Sequence, residues 1–221
     1  SVEFWVQQVR DFWQTFIGQP MIVIGNSIGS LIALSAAYTY PEMVQGLGLL
    51  SLPDPSLRED LVPAWCRPVA ARVERAFAAD WLLKPLFYWV RRPQVVRPWV
   101  SLAYAHPEAV TDELVDILVT PARDRGAAQA FSQILQAMVN PKFGPRVSTV
   151  LPALEIPILL IWGKQDRMVP PSFAKIFAAL NPRIQLVELD NVGHCPQDEC
   201  PQQVNSIIEN WLLYPKGQLP G

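Results

Sequence analysis

Met21 to Tyr40 carries no charged side chain, and a chain can place such a stretch in few ways. Met21-Ile22-Val23-Ile24 is a short β-branched run bounded by Pro20, which predicts a buried strand. Leu31-Ile32-Ala33-Leu34 with Ala36-Ala37 predicts a buried helix. A transmembrane helix of about 20 apolar residues is the competing reading. Gly25, Asn26, Ser27, Gly29 and Ser30 interrupt the middle of the stretch and favour a turn. Gly25-Asn26-Ser27-Ile28-Gly29 has the form G-x-S-x-G, a pattern that also occurs by chance. Its place between strand and helix is what gives it weight as a nucleophile elbow. Glycines there permit the sharp turn and keep side chains from crowding it, so the Ser27 hydroxyl is exposed at the top of the sheet. The Ile28 amide, at the helix N-terminus, then points to where an oxyanion would form.

The remaining chain supplies a frame for that turn. Trp5, Val9, Phe12, Trp13 and Phe16 recur at helical spacing, predicting an amphipathic helix packed on a sheet. Gly46 to Leu52 predicts a second strand, Pro157 to Trp162 a third and Ile184 to Leu189 a fourth. Pro171 to Leu180 predicts a helix between the last two. A closing helix opens at Pro201 and carries Val204, Ile207, Ile208 and Trp211 on one face. This alternation predicts an α/β class with a mostly parallel sheet and helices on both of its faces. From Pro53 to about Leu151 no strand is evident, and Trp65, Phe77, Trp81, Phe87, Tyr88, Trp89, Trp99 and Tyr104 make the segment dense in aromatics. The division expected is therefore a core of residues 1–52 and 152–221 with a helical cap of residues 53–151. Most of the cap aromatics are accounted for by helices packing on one another.

A serine hydroxyl needs a base, and the chain has two histidines. His194, in Val192-Gly193-His194-Cys195, follows a strand and is favoured over His106, which lies in the cap before Pro107. A histidine base needs a carboxylate to orient it. Asp166, in Trp162-Gly163-Lys164-Gln165-Asp166, follows a strand and gives the order Ser, Asp, His. Asp54, after the second strand, is the rival, although a Pro-Asp-Pro turn explains an aspartate without any catalytic role. Asn26 beside the serine, and Phe87 and Trp89 in the cap, are the residues expected at the substrate. The cysteines and histidines lack metal-ligand spacing, and Gly46-x-Gly48 is not a dinucleotide fingerprint, so neither metal nor cofactor is expected. A formal charge of −2 gives no reason to expect a nucleic-acid partner. Cys66, Cys195 and Cys200 form no disulfide framework, which makes a reducing compartment the default. The apolar run Trp81 to Val90, ended by Arg91-Arg92, is too short to span a bilayer. It is expected to pack inside the cap, to line the mouth of an apolar pocket, or to rest on a membrane surface.

Gly-Asn-Ser-Ile-Gly, Trp-Gly-Lys-Gln-Asp and Gly-His-Cys resemble, in order, the three catalytic positions of the α/β-hydrolases. The resemblance covers the whole chain, with a helical cap inserted after the strand that follows the elbow helix. Within that family, Gly193-His194-Cys195-Pro196-Gln197-Asp198-Glu199 and Asp112-Glu113-Leu114-Val115-Asp116-Ile117-Leu118 are similar to the pheophytinase and chlorophyll dephytylase branch. The resemblance implies a serine hydrolase cleaving a large apolar ester, the phytyl ester of chlorophyll-type pigments, in the cytoplasm or beside a photosynthetic membrane. Two other functions fit the fold: a carbon–carbon bond hydrolase of ring-cleavage products, disfavoured by Cys195 where an aromatic is usual, and a binding protein on a retained hydrolase fold. The family usually has Gly-Gly where this chain has Gly29-Ser30. No His-Gly oxyanion segment and no opening strands precede the first helix, and the chain starts at Ser1. The expectation is of a fragment carrying about half the strands, with the elbow strand as an apolar open edge and the second oxyanion donor upstream.

Overall fold

The computed structural model describes residues 1–56, 80–138 and 143–214. Trp65 and Phe77, counted above among the cap aromatics, lie outside the described residues. The chain divides into two compact units: Val2–Asp54, Ala103–His106 and Pro145–Gly221 make one, and Pro55–Leu102 with Pro107–Gly144 the other.

The first unit is a parallel sheet of four strands in sequential order: β1 (Met21–Asn26), β2 (Val44–Leu50), β3 (Ile158–Gly163) and β4 (Ile184–Leu189). β3 is buried at every position, as an uncharged run with neighbours on both sides should be. Its alternate side chains serve the two faces. Leu159 and Ile161 join Leu50, Leu189 and Val192 in a cluster closed by Val204 and Trp211 of the last helix (Pro201–Leu213). Trp162 points the other way, its ring 6.1 Å from that of Phe177 in the helix Ser172–Ala178. The helix after the elbow, α2 (Ile28–Thr39), buries Leu31, Ala33, Leu34, Ala36 and Ala37; it packs on β1 and β2 and carries α1 (Val2–Phe16) against it.

α1 departs from the expected face. Val2 and Val6 are its buried residues, and Phe12 and Phe16 are exposed. Its partner is α2 rather than the sheet, so only the stripe that meets one helix is covered. Ile22 and Ile24 of β1, the edge strand, are 38% and 43% exposed.

The second unit is helical in its described residues: α3 (Asp80–Val90), α4 (Pro93–Ala103), α5 (Asp112–Val119) and α6 (Ala127–Met138). α3 and α6 pack together, with Phe87 5.2 Å from Phe131 between ring centroids. α5 begins at Thr111, whose hydroxyl accepts the Leu114 N–H at 3.1 Å, an N-cap that satisfies one of the donors a helix start leaves open. Arg97 joins α4 to the start of α5 through Asp112 and the Val110 carbonyl. Among the described residues no helix is long and apolar enough to cross a membrane.

Candidate active site

The turn between β1 and α2 is formed by Ser27 at φ 53° and ψ −120°, a conformation that a non-glycine residue adopts only when its surroundings impose it. Gly25 makes the turn possible by close approach, because a Cβ there would stand 2.3 Å from the backbone of Gly29. Gly29 itself faces open space, so the crowding argument applies to the first glycine of the motif and not to the second. Ser30 does the work at the position where the family usually has another glycine. Fully buried, its Oγ accepts the Leu50 N–H at 3.0 Å and donates towards Gly25 O and Leu50 O, at 2.6 and 2.8 Å. One hydroxyl thus fastens the ends of β1 and β2 to the first turn of α2. A serine in place of the family's second glycine is visible in the sequence, but its purpose is visible only in these bonds.

Ser27 occupies the N-cap position of α2, yet its side chain makes no capping hydrogen bond, so the hydroxyl is left for other chemistry. Its carbonyl accepts from Ser30 and Leu31. The Ile28 N–H belongs to the first turn, where helical amides have no intrahelical partner and the helix dipole is positive.

Asp166 and His194 come from the loops after β3 and β4. Asp166 Oδ2 lies 2.9 Å from His194 Nδ1, with the carboxylate side chain fully buried and the imidazole 9% exposed. The other oxygen, Oδ1, accepts the backbone N–H groups of Met168 and Val169 at 2.8 and 2.9 Å. A carboxylate gripped in this way cannot swing, so it holds the ring. An ionised Asp166 accepts from Nδ1–H, which leaves the lone pair of the neutral ring on Nε2, the tautomer a general base requires.

The serine and histidine loops are tied through Asn26, whose Nδ2 donates to the His194 carbonyl at 2.9 Å. Asn26 was expected at the substrate; the structure instead commits its amide to the histidine loop. Of the two rivals, Asp54 is buried and His106 is exposed. Phe87 and Trp89 belong to the helical unit. Phe87, 5% exposed, is part of that unit's packing. The open hollow of about 510 Å³ next to it is lined by Lys84, Arg91, Arg123 and Arg125 together with Asp124, Tyr88 and Ala128, so its charge is mostly positive. Trp89 is 52% exposed. Among the described residues no group of acidic, histidine and cysteine side chains is placed to hold a metal ion.

Residues 2–207 match the Alpha/beta hydrolase family. The chloroplast pheophytinase of Arabidopsis thaliana is 25% identical over 97% of this chain and 45% of its own length. Protein ABHD8 of Homo sapiens is 22% identical over 94% of this chain and 43% of its own length. The chain therefore spans a little under half of these relatives. Among solved structures, a meta-cleavage product hydrolase from Pseudomonas fluorescens IP01 superposes with a TM-score of 0.74 at 18% identity, over 96% of this chain and 72% of that one. A bacterial membrane phospholipase A gives 0.71 at 22% identity, over 98% and 64%. At such identities these structures speak for the fold, and the family match covers most of the sequence. The chain belongs to the alpha/beta hydrolase family.

Proposed function

We propose that this hydrolase is a serine esterase in which Ser27 is the nucleophile, His194 the general base and then acid, and Asp166 the residue that orients the imidazole. The observation that carries this reading is the buried 2.9 Å contact between Asp166 and His194, on a loop held to the elbow by the hydrogen bond from Asn26, the residue before Ser27, to the His194 carbonyl. In the reaction, Ser27 Oγ attacks the ester carbonyl while Nε2 of His194 takes its proton. The tetrahedral oxyanion is met by the Ile28 N–H. Collapse expels the alcohol, which takes the proton back from His194, and leaves an acyl group on Ser27. Water, activated by the same imidazole, then releases the acid and restores the serine.

For the substrate we propose a large apolar ester, the phytyl ester of a chlorophyll-type pigment. Similarity to pheophytinase over nearly the whole chain supports it. So does the Gly193 to Glu199 segment, in which Glu199 and Asp198 have the structural tasks described below. On the same reading, the exposed Trp81, Trp89 and Trp99 are the residues that meet the membrane holding such a pigment.

The test is phytol release from pheophytin or chlorophyll by the full-length protein, followed by chromatography beside hydrolysis of a p-nitrophenyl ester. The proposal expects a much higher kcat/KM on the pigment. Hydrolysis of the small ester without phytol release removes the pigment and keeps the esterase. Turnover of a dienoic ring-cleavage product with neither ester cleaved contradicts both.

A further inference from the structure

Glu199 ends the short helix Pro196–Glu199 that follows the histidine loop. Its carboxylate is divided between two stretches of backbone. Oε1 accepts the N–H of Gly193 at 2.8 Å, and Oε2 accepts the N–H of Ala105 at 2.7 Å. Ala105 lies in Ala103–His106, the segment that begins at the last residue of α4 and belongs with the sheet unit. Two more bonds hold the same segment to the histidine loop and to the short helix after it. The His194 N–H donates to the Ala103 carbonyl at 2.6 Å, and the Tyr104 hydroxyl donates to Asp198 Oδ2 at 2.5 Å. Burial and the bond to Asp198 hold the Tyr104 phenol well above its usual range, so it remains a donor. The approach is tight enough that a Cβ at Gly193 would stand 2.5 Å from Ala103 O and 2.7 Å from Ala105 N.

Residues 103, 104 and 105 are thus each bonded to the loop that carries His194 or to the short helix that follows it. A carboxylate suits the bridge because each of its two oxygens takes one N–H. The amide of glutamine has a single acceptor oxygen and would set an NH₂ against the other donor.

We infer that Glu199 is a positioning residue: by joining Gly193 to Ala105 it sets the seat of His194 against Asp166. The inference rests on His194 being the base of the esterase proposed above. The mechanism needs no proton from Glu199, only its two acceptors.

The test uses the full-length protein with p-nitrophenyl butyrate, and the low-field NMR resonance of the His194 Nδ1 proton. In Glu199→Gln, kcat is expected to fall about 30-fold with KM within about twofold, as for a lost charge-assisted hydrogen bond, and the resonance to broaden or vanish. Tyr104→Phe, which keeps the ring and loses one tie, is expected to lower kcat about fivefold with the same signature. It decides the matter if Glu199→Gln does not fold. Wild-type kcat and an unshifted resonance in a folded variant overturn the inference. If Ser27→Ala keeps full activity, the esterase reading has failed instead, and the resonance alone still tests whether Glu199 seats the ring.

Discussion

The strained backbone of Ser27 and the fixed ring of His194 are separate achievements, and Asn26 is the side chain that registers one against the other. Asn26→Ala removes the donor to the His194 carbonyl and is expected to lower kcat about tenfold with little change in KM for a small ester. A rise in KM with kcat preserved would return Asn26 to the substrate-contact role suggested by its place next to the nucleophile. Cys195, beside the base, is a quiet neighbour. Burial first, then the negative charges of Asp198, Glu199 and Asp166, push its thiol up to about 11. At pH 8 only about one molecule in a thousand holds the thiolate, so native protein should resist iodoacetamide at Cys195 until denaturant is added. Because the thiol is easier to ionise in the unfolded chain, its contribution to stability is complete below about pH 8.5 and is lost as pH rises towards about 11. Rapid native alkylation at pH 8 would contradict the buried, acid-surrounded setting. Of these residues, the sequence pointed to Ser27, Asp166 and His194 through motif and chain order. Ser30 and Glu199 were not legible, because both act by hydrogen-bonding backbone that is distant in sequence or folded back by a turn.

Elements read from apolar runs came out close to their expected limits. Ile184 to Leu189 is a strand over the expected residues, and Pro201 opens the last helix. β2 begins and ends two residues earlier than expected, at Val44 and Leu50, where the chain turns away at Ser51 with φ 49°. Periodicity failed on α1, since five aromatic and aliphatic residues at helical spacing do not say how wide a face the partner covers, and α2 covers a narrow one. It also failed to rank the aromatics of α3, which is apolar at most positions while only some are covered: Leu83 and Phe87 are buried, and Trp81, Tyr88 and Trp89 are exposed. Phe87→Ala should therefore act on stability, at about 3–5 kcal/mol for a buried phenylalanine, and Trp89→Ala should leave the melting temperature nearly unchanged. Calorimetry of the two variants checks this. Equal melting temperatures, with a loss of pigment turnover confined to Phe87→Ala, would restore Phe87 to the substrate.

At the scale of the molecule, the sheet brings together three loops that lie far apart in the chain: the elbow after β1, the Asp166 loop after β3 and the His194 loop after β4. All three leave the C-terminal ends of parallel strands, which is where sites form in open α/β sheets; β3 and β4 are neighbours, and the Asn26 bond to the His194 carbonyl links the elbow of β1 to them across the sheet. That convergence was legible because motif order and strand order agree. The segment Ala103–His106 was not, since it sits inside the expected cap of residues 53–151 and yet belongs with the sheet unit. The central claim is that these loops make Ser27 a nucleophile. It is tested most directly by treating the full-length protein with a fluorophosphonate and locating the adduct by peptide mass spectrometry. The account predicts one adduct, on Ser27, forming at least about a thousandfold more slowly in His194→Ala and slowed also in Asp166→Asn. An adduct on another residue, or labelling of Ser27 at the wild-type rate in His194→Ala, would contradict it.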